Sequence, residues 1–183
     1  MKKLLSLLLA ATLLMVAAPP ISFAADGAPL PVAVISDIHY FPEKLTGNYC
    51  QAFLDHVEKD TRQPGQSVAL LDSALDAVVK HASENGTKYL LIPGDTSHDG
   101  EYEAHRILAQ RLEQFEQDTG IQVIVINGNH DIGNSGAITF ENGVCEKAQM
   151  TTPEDFREFY KNLGYDLAYH TYTPTEGTKA GML

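Results

Sequence analysis

The sequence predicts an α/β domain in which a layered sheet is flanked by helices, and three observations lead there. Short apolar runs rich in β-branched residues stand at 32–35, 89–92 and 122–126. Stretches with helical apolar spacing separate them, and each run breaks off into a cluster of Asp, His, Asn and Gly. Runs that are nearly continuous rather than alternating are expected of strands covered on both faces of a parallel or mixed sheet. The resulting order, strand and helix three times over, is that of layered α/β architecture.

The elements follow in chain order. Residues 1–24 read as an export address. Lys2 and Lys3 precede an apolar run broken only by Ser6 and Thr12, then come Pro19 and Pro20, then Ser22-Phe23-Ala24 with small residues where a signal peptidase cuts. Cleavage is expected after Ala24, leaving residues 25–183 as one domain. An uncleaved anchor or a buried helix is the alternative, although the run is shorter than the roughly 20 residues a spanning helix needs. With the leader removed no membrane span is expected, and the residue after the cut is Ala25, not a cysteine that could carry a lipid. The expected location is secreted or in the cell envelope, outside the cytoplasm.

Between the first strand and the first long helix lies a polar connection, 40–66, with room for a short helix near 52–59. A connection of that length is usually functional or disordered. The helix at 68–84 carries Val68, Leu71, Leu75, Val78 and Val79 on one face, with Ser67 as a plausible cap and Asn85-Gly86 as its end. The helix at 101–118 repeats the device with Ile107, Leu108, Leu112 and Phe115, closing at Gly120. A third helix is expected from Pro153 to about Leu163, with Thr152 as cap and Asp155 completing a capping box.

Acidic residues number 24 against 13 basic, a net charge of −11, and loss of the leader's lysines makes the chain more acidic still. Such a surface repels a phosphate backbone and argues against bulk nucleic-acid binding. It leaves open small phosphate esters drawn in by bound cations. The two cysteines, Cys50 and Cys145, either pair near the mouth of the site or remain free thiols.

The chemistry sits where the strands end. The first strand leads into Ser36-Asp37-Ile38-His39, the second into Pro93-Gly94-Asp95, the third into Asn127-Gly128-Asn129-His130-Asp131. Ligands of open α/β sheets gather beyond the carboxyl ends of the strands. Alternation along an extended segment would put Asp37 and His39 on one side, within reach of one ion. Gly94 and Gly128 would let the backbone approach a ligand closely.

Asp-x-His, Gly-Asp and Gly-Asn-His-Asp in this order resemble the calcineurin-like metallophosphoesterase pattern, closely over residues 32–131 and loosely after. The resemblance implies a sandwich of two sheets flanked by helices, and a site for two metal ions that activates water for hydrolysis of phosphate mono- or diesters. Asp37 and His39 would bind the first ion, Asp95 would bridge both, and Asn129 would bind the second. His130 would serve as general acid or transition-state stabiliser, and Asp131 would orient its loop. Carboxylate, imidazole and amide donors suit Mn, Fe, Zn or similar ions without choosing among them. The partner implied is a small phosphate ester, and neither cysteine is needed as a nucleophile.

Two departures from the family pattern matter. The Asp-Arg pair that follows Gly-Asp in protein phosphatases is replaced here by His98-Asp99, so His98 either faces the substrate or is a solvated loop histidine. His56, His81 and His105 are expected on the surface. Three further family histidines, two of them in Gly-His-x-His, have no counterpart beyond His130, where only His170 follows. The chain is therefore expected to be the N-terminal part of a catalytic domain, carrying part of the site. The alternative from another class is an exported α/β protein that binds metal or another ligand without catalysis. An ordinary α/β domain would have to treat all three motifs as turns.

Overall fold

In a computed structural model, which describes residues 29–167, the three apolar runs form one parallel sheet in the order β1-β2-β3. β1 is Val32–Val34, β2 Tyr89–Pro93 and β3 Gln122–Ile126. The leader expected at 1–24 and His170 lie outside the described residues. Val32, Tyr89 and Gln122 are in register, as are Ala33, Leu90 and Val123. Leu90, Ile92, Val123 and Val125 are buried, whereas Tyr89, Leu91, Gln122 and Ile124 on the opposite face are half-buried, and Val32 and Val34 are exposed. The expectation of strands covered on both faces is thus met on one face only among the described residues. Right-handed crossovers between neighbouring parallel strands return both connecting helices to the same side.

Those helices are α2, Ser67–Asn85, and α3, Tyr102–Thr119; the shorter α1, Gln51–Val57, precedes them. α2 buries Leu71, Leu75 and Val78, and α3 buries Ala104, Leu108, Leu112 and Phe115. Ser67 is not the cap of α2. It is buried at the first helical position, and its hydroxyl accepts from Phe41 N (2.9 Å) and donates toward Phe41 O (3.2 Å) or Pro64 O (3.1 Å). The long connection needed a partner for its own backbone there, and that need outweighs the helix end.

α4, Pro153–Phe159, starts as the sequence predicts, with the Thr152 side chain and the Asp155 backbone and carboxylate satisfying one another. A cap of this kind contributes about 1 kcal/mol. It stops short of Leu163 because the Leu163 carbonyl turns to accept Val125 N (3.0 Å), and Gly164 (φ 109°) lies against Ile124. That bond docks the segment after α4 alongside β3.

The 40–66 connection is ordered. It holds a 3-10 turn at Glu43–Thr46 and α1, and it packs on a small antiparallel pair, β4 (Ile138–Thr139) and β5 (Glu146–Lys147). Phe41 stacks on Phe53 at 5.7 Å, and Phe140 meets both edge-on at 6.3 and 5.4 Å. Phe140 N donates to Leu45 O at 2.8 Å, which fixes this aromatic lobe over the strand ends. Cys50 and Cys145 are both free. No helix among the described residues is long and apolar enough to cross a membrane.

Candidate metal centre

Beyond β1 and β2 the two segments remain zipped together. Asp37 N donates to Gly94 O (3.3 Å), His39 N to Asp95 O (3.0 Å) and Tyr40 N to Thr96 O (2.9 Å). The backbone is nonetheless far from extended, with Asp37, His39 and Asp95 at φ 55°, 44° and 48°. Left-handed turns, not strand alternation, therefore aim these side chains. One ligand atom each from Asp37, His39 and Asp95 lies within 4.8 Å of the others. Non-glycine residues seldom adopt this conformation, and clusters of such outliers mark functional positions.

The third strand end closes the site. Asp37, Gly94, Asp95, Gly128 and Asn129 line one cavity of about 230 Å³. The loops after β2 and β3 touch through their glycines: a Cβ on Gly94 (φ 98°) would stand 2.9 Å from Gly128 Cα, and one on Gly128 would strike the Asp95 carboxylate. Asp95 Oδ1 accepts from His130 N at 3.0 Å. Asp131, fully buried, ties the loops a second time. Its Oδ1 accepts from Thr96 Oγ1 (2.8 Å), Ser97 N (2.9 Å) and Ser97 Oγ (3.2 Å), and its Oδ2 from Gly128 N (2.7 Å).

His130 stands edge-on to His39, ring centroids 5.0 Å apart. Its Nδ1 lies 2.7 Å from Asp99 Oδ1. The Asp99 carboxylate has no proton to give, so Nδ1–H donates and Nε2 is the nitrogen left free. The same Asp99 oxygen accepts from Arg62 Nη1 at 2.9 Å. Burial pushes the Asp99 carboxyl up, but Arg62 and His130 outweigh it and hold it below the usual carboxylate range.

Behind this pair runs a network the sequence did not reveal. Arg62 grips Asp60 with Nε to Oδ1 (3.1 Å) and Nη2 to Oδ2 (2.9 Å). His98 Nε2 donates to Asp60 Oδ2 at 2.7 Å. His98 is neither substrate-facing nor solvated. It is fully buried, with Nδ1 at 3.3 Å from Asp99 Oδ2 and 3.7 Å from Glu101 Oε1. Burial alone would lower its pKa, but Glu101 and Asp60 more than offset this and hold it above an ordinary imidazole.

His105 is also a correction: expected on the surface, it is fully buried on α3. Its Nε2 donates to Asp131 O (3.0 Å) and its Nδ1 accepts from Tyr160 OH (2.9 Å), so burial favours the neutral ring and its pKa is lowered. His56 is half-buried, joining Asp60 and His98 in a second group with ligand atoms within 4.8 Å, while His81 is exposed as expected. In that second group Asp60 is already chelated through both oxygens by Arg62, so a divalent ion would have to displace a guanidinium. Arg62 and Asp60 had one sequence signal, an acid and a base two apart inside an unusually long connection.

The donors fit a bound metal at the first group: two carboxylates and an imidazole converge from strained backbone, and both carboxylates line an open cavity together with Asn129. A family model described as calcineurin-like phosphoesterase matches residues 30–177. No curated protein matches the chain.

Proposed function

Since the chain belongs to the calcineurin-like phosphoesterase family, we propose that it hydrolyses small phosphate mono- or diesters with metal ions held beyond β1, β2 and β3. The observation that carries this is the convergence of Asp37, His39 and Asp95. In this reading Asp37, His39 and Asp95 hold one ion, and Asp95 and Asn129 hold a second. Two bound divalent ions supply Lewis acidity toward water and charge neutralisation for the phosphoryl group.

The chain's own residues do the rest. Asp99 fixes the His130 ring through Nδ1–H, and in the imidazolium form the proton on Nε2 is the one available to the oxygen that leaves phosphorus, the ring returning to its Nδ1–H neutral form. His130 N–H holds Asp95 Oδ1, so the loop that carries the proton donor also fixes the Asp95 carboxylate that would hold metal. Asp131 keeps that loop against Thr96 and Ser97.

The described residues give the second ion only Asp95 and Asn129, and we infer that further imidazole ligands come from outside residues 29–167. The 183-residue chain alone is therefore expected to bind manganese weakly and to turn over a generic phosphodiester poorly. A longer form that supplies a Gly-His-x-His element should restore both. The comparison is made by calorimetry and by turnover with added manganese. Robust hydrolysis by the short chain would overturn the partial-site reading, and tight binding without hydrolysis in the longer form would favour a non-catalytic metal binder. Export belongs to the same proposal: N-terminal sequencing of secreted protein should give Ala25, and a mature chain beginning at Met1 would refute it.

A further inference from the structure

We propose that Arg62 is a positioning residue for His130, reaching it from the 40–66 connection through Asp99. The inference rests on the functional reading above, in which His130 gives up the proton. Arg62 Nη1 donates to Asp99 Oδ1 (2.9 Å) and to His98 O (3.0 Å), and it lies 3.4 Å from His130 Nδ1. The other side of the guanidinium is locked on Asp60 through Nε and Nη2. Asp60 is in turn held by the buried His98.

Four of the five N–H groups of Arg62 thus have protein acceptors, which leaves little for a substrate phosphate. A planar fork that joins two carboxylates at fixed distance is a spacer that a lysine ammonium reproduces only in part. Its place is informative. Arg62 stands on the 40–66 connection, whereas Asp99 and His98 stand on the loop after β2, so the cation is brought to that loop from another segment. The cation here faces Asp99, so it acts on the orientation of the ring rather than on the ester.

Asp99 Oδ1 receives Arg62, His130 and Asn134 Nδ2 (3.1 Å) together. Without Arg62 the carboxylate can rotate, the His130 Nδ1–H loses its fixed acceptor, and both ring tautomers become populated. Nothing in this chain of contacts passes through the ester. The expected signature is therefore a fall in kcat with KM nearly unchanged.

The test uses ring nitrogen NMR of His130 in the metal-free chain, and kinetics in the manganese-loaded form that turns over. Wild type should show one tautomer with Nδ1 protonated. Arg62→Met should give averaged ring shifts and a kcat lower by roughly 10-fold or more, part of the about 10²–10⁴ that a positioned general acid contributes. Its KM should stay within about twofold, and Arg62→Lys should recover part of kcat. Unchanged ring shifts in Arg62→Met would overturn the proposal. So would a raised KM with kcat retained, which would make Arg62 a phosphate clamp instead. If Arg62→Met does not fold, Asp60→Asn, which frees the guanidinium, should shift the ring signals the same way, and no shift there overturns the proposal equally. If no form hydrolyses a phosphoester, the functional reading fails while the ring comparison still decides the role of Arg62.

Discussion

Asp95→Asn is expected to weaken manganese binding by about 100-fold or more, since even residues that only support metal ligands carry about 10–100-fold. The change is isosteric and leaves an oxygen able to accept His130 N, now held at 3.0 Å. It removes the negative charge that Asp95 places beside Asp37 and His39 to hold an incoming ion. The fold should therefore survive while the centre does not. Calorimetry with manganese reads the affinity. Thermal melts read the fold, where ligand at 100 times the wild-type Kd should stabilise wild type by about 2.7 kcal/mol and the variant by about 0.4 kcal/mol or less. A variant that binds manganese like wild type would remove Asp95 from the centre.

Asp131→Asn is expected to destabilise the protein by about 3 kcal/mol, the scale of one or two hydrogen bonds to a buried charge. Four donors converge on this carboxylate from Thr96, Ser97 and Gly128. An asparagine amide can accept at only one atom, and its NH2 would face a donor in a fully buried place. Urea unfolding should show a lower midpoint at unchanged slope. Manganese affinity should fall as well, because Gly128 N and Ser97 N are the two ends of the clasp between the loops. A midpoint that implies less than about 0.5 kcal/mol, the range of ordinary surface changes, would show that the clasp is dispensable.

How much of this was legible in the sequence differs by type of interaction. β-branched runs and helical spacing placed the three strands and the long helices to within a residue or two, because local periodicity dictates them. The capping box at Thr152 was legible for the same reason, being closed within four residues. Ser67 was misread, since its partner is Phe41, 26 residues earlier, and spacing carries no sign of it. The sequence points His105 to the surface and His98 to the substrate or to solvent, because a loop or helix histidine has no local mark of burial. Their acceptors, Asp60 and Asp131 O, come from other segments. The candidate ligands were legible as motifs, but the way they converge was not: left-handed backbone at Asp37, His39 and Asp95 replaces the alternation that an extended chain would give.

That backbone has a consequence for how the protein can change over time. Left-handed conformation costs a non-glycine residue roughly 1–2 kcal/mol, and here it recurs at three positions that the fold could fill more comfortably with glycine. A lineage selected for robustness alone would drift toward glycine or asparagine at 37, 39 and 95, gaining stability as it lost the donors. Heat-tolerant variants of this chain are therefore best sought elsewhere in the molecule, and any whose gain maps to these three positions should be suspected of having traded away the centre.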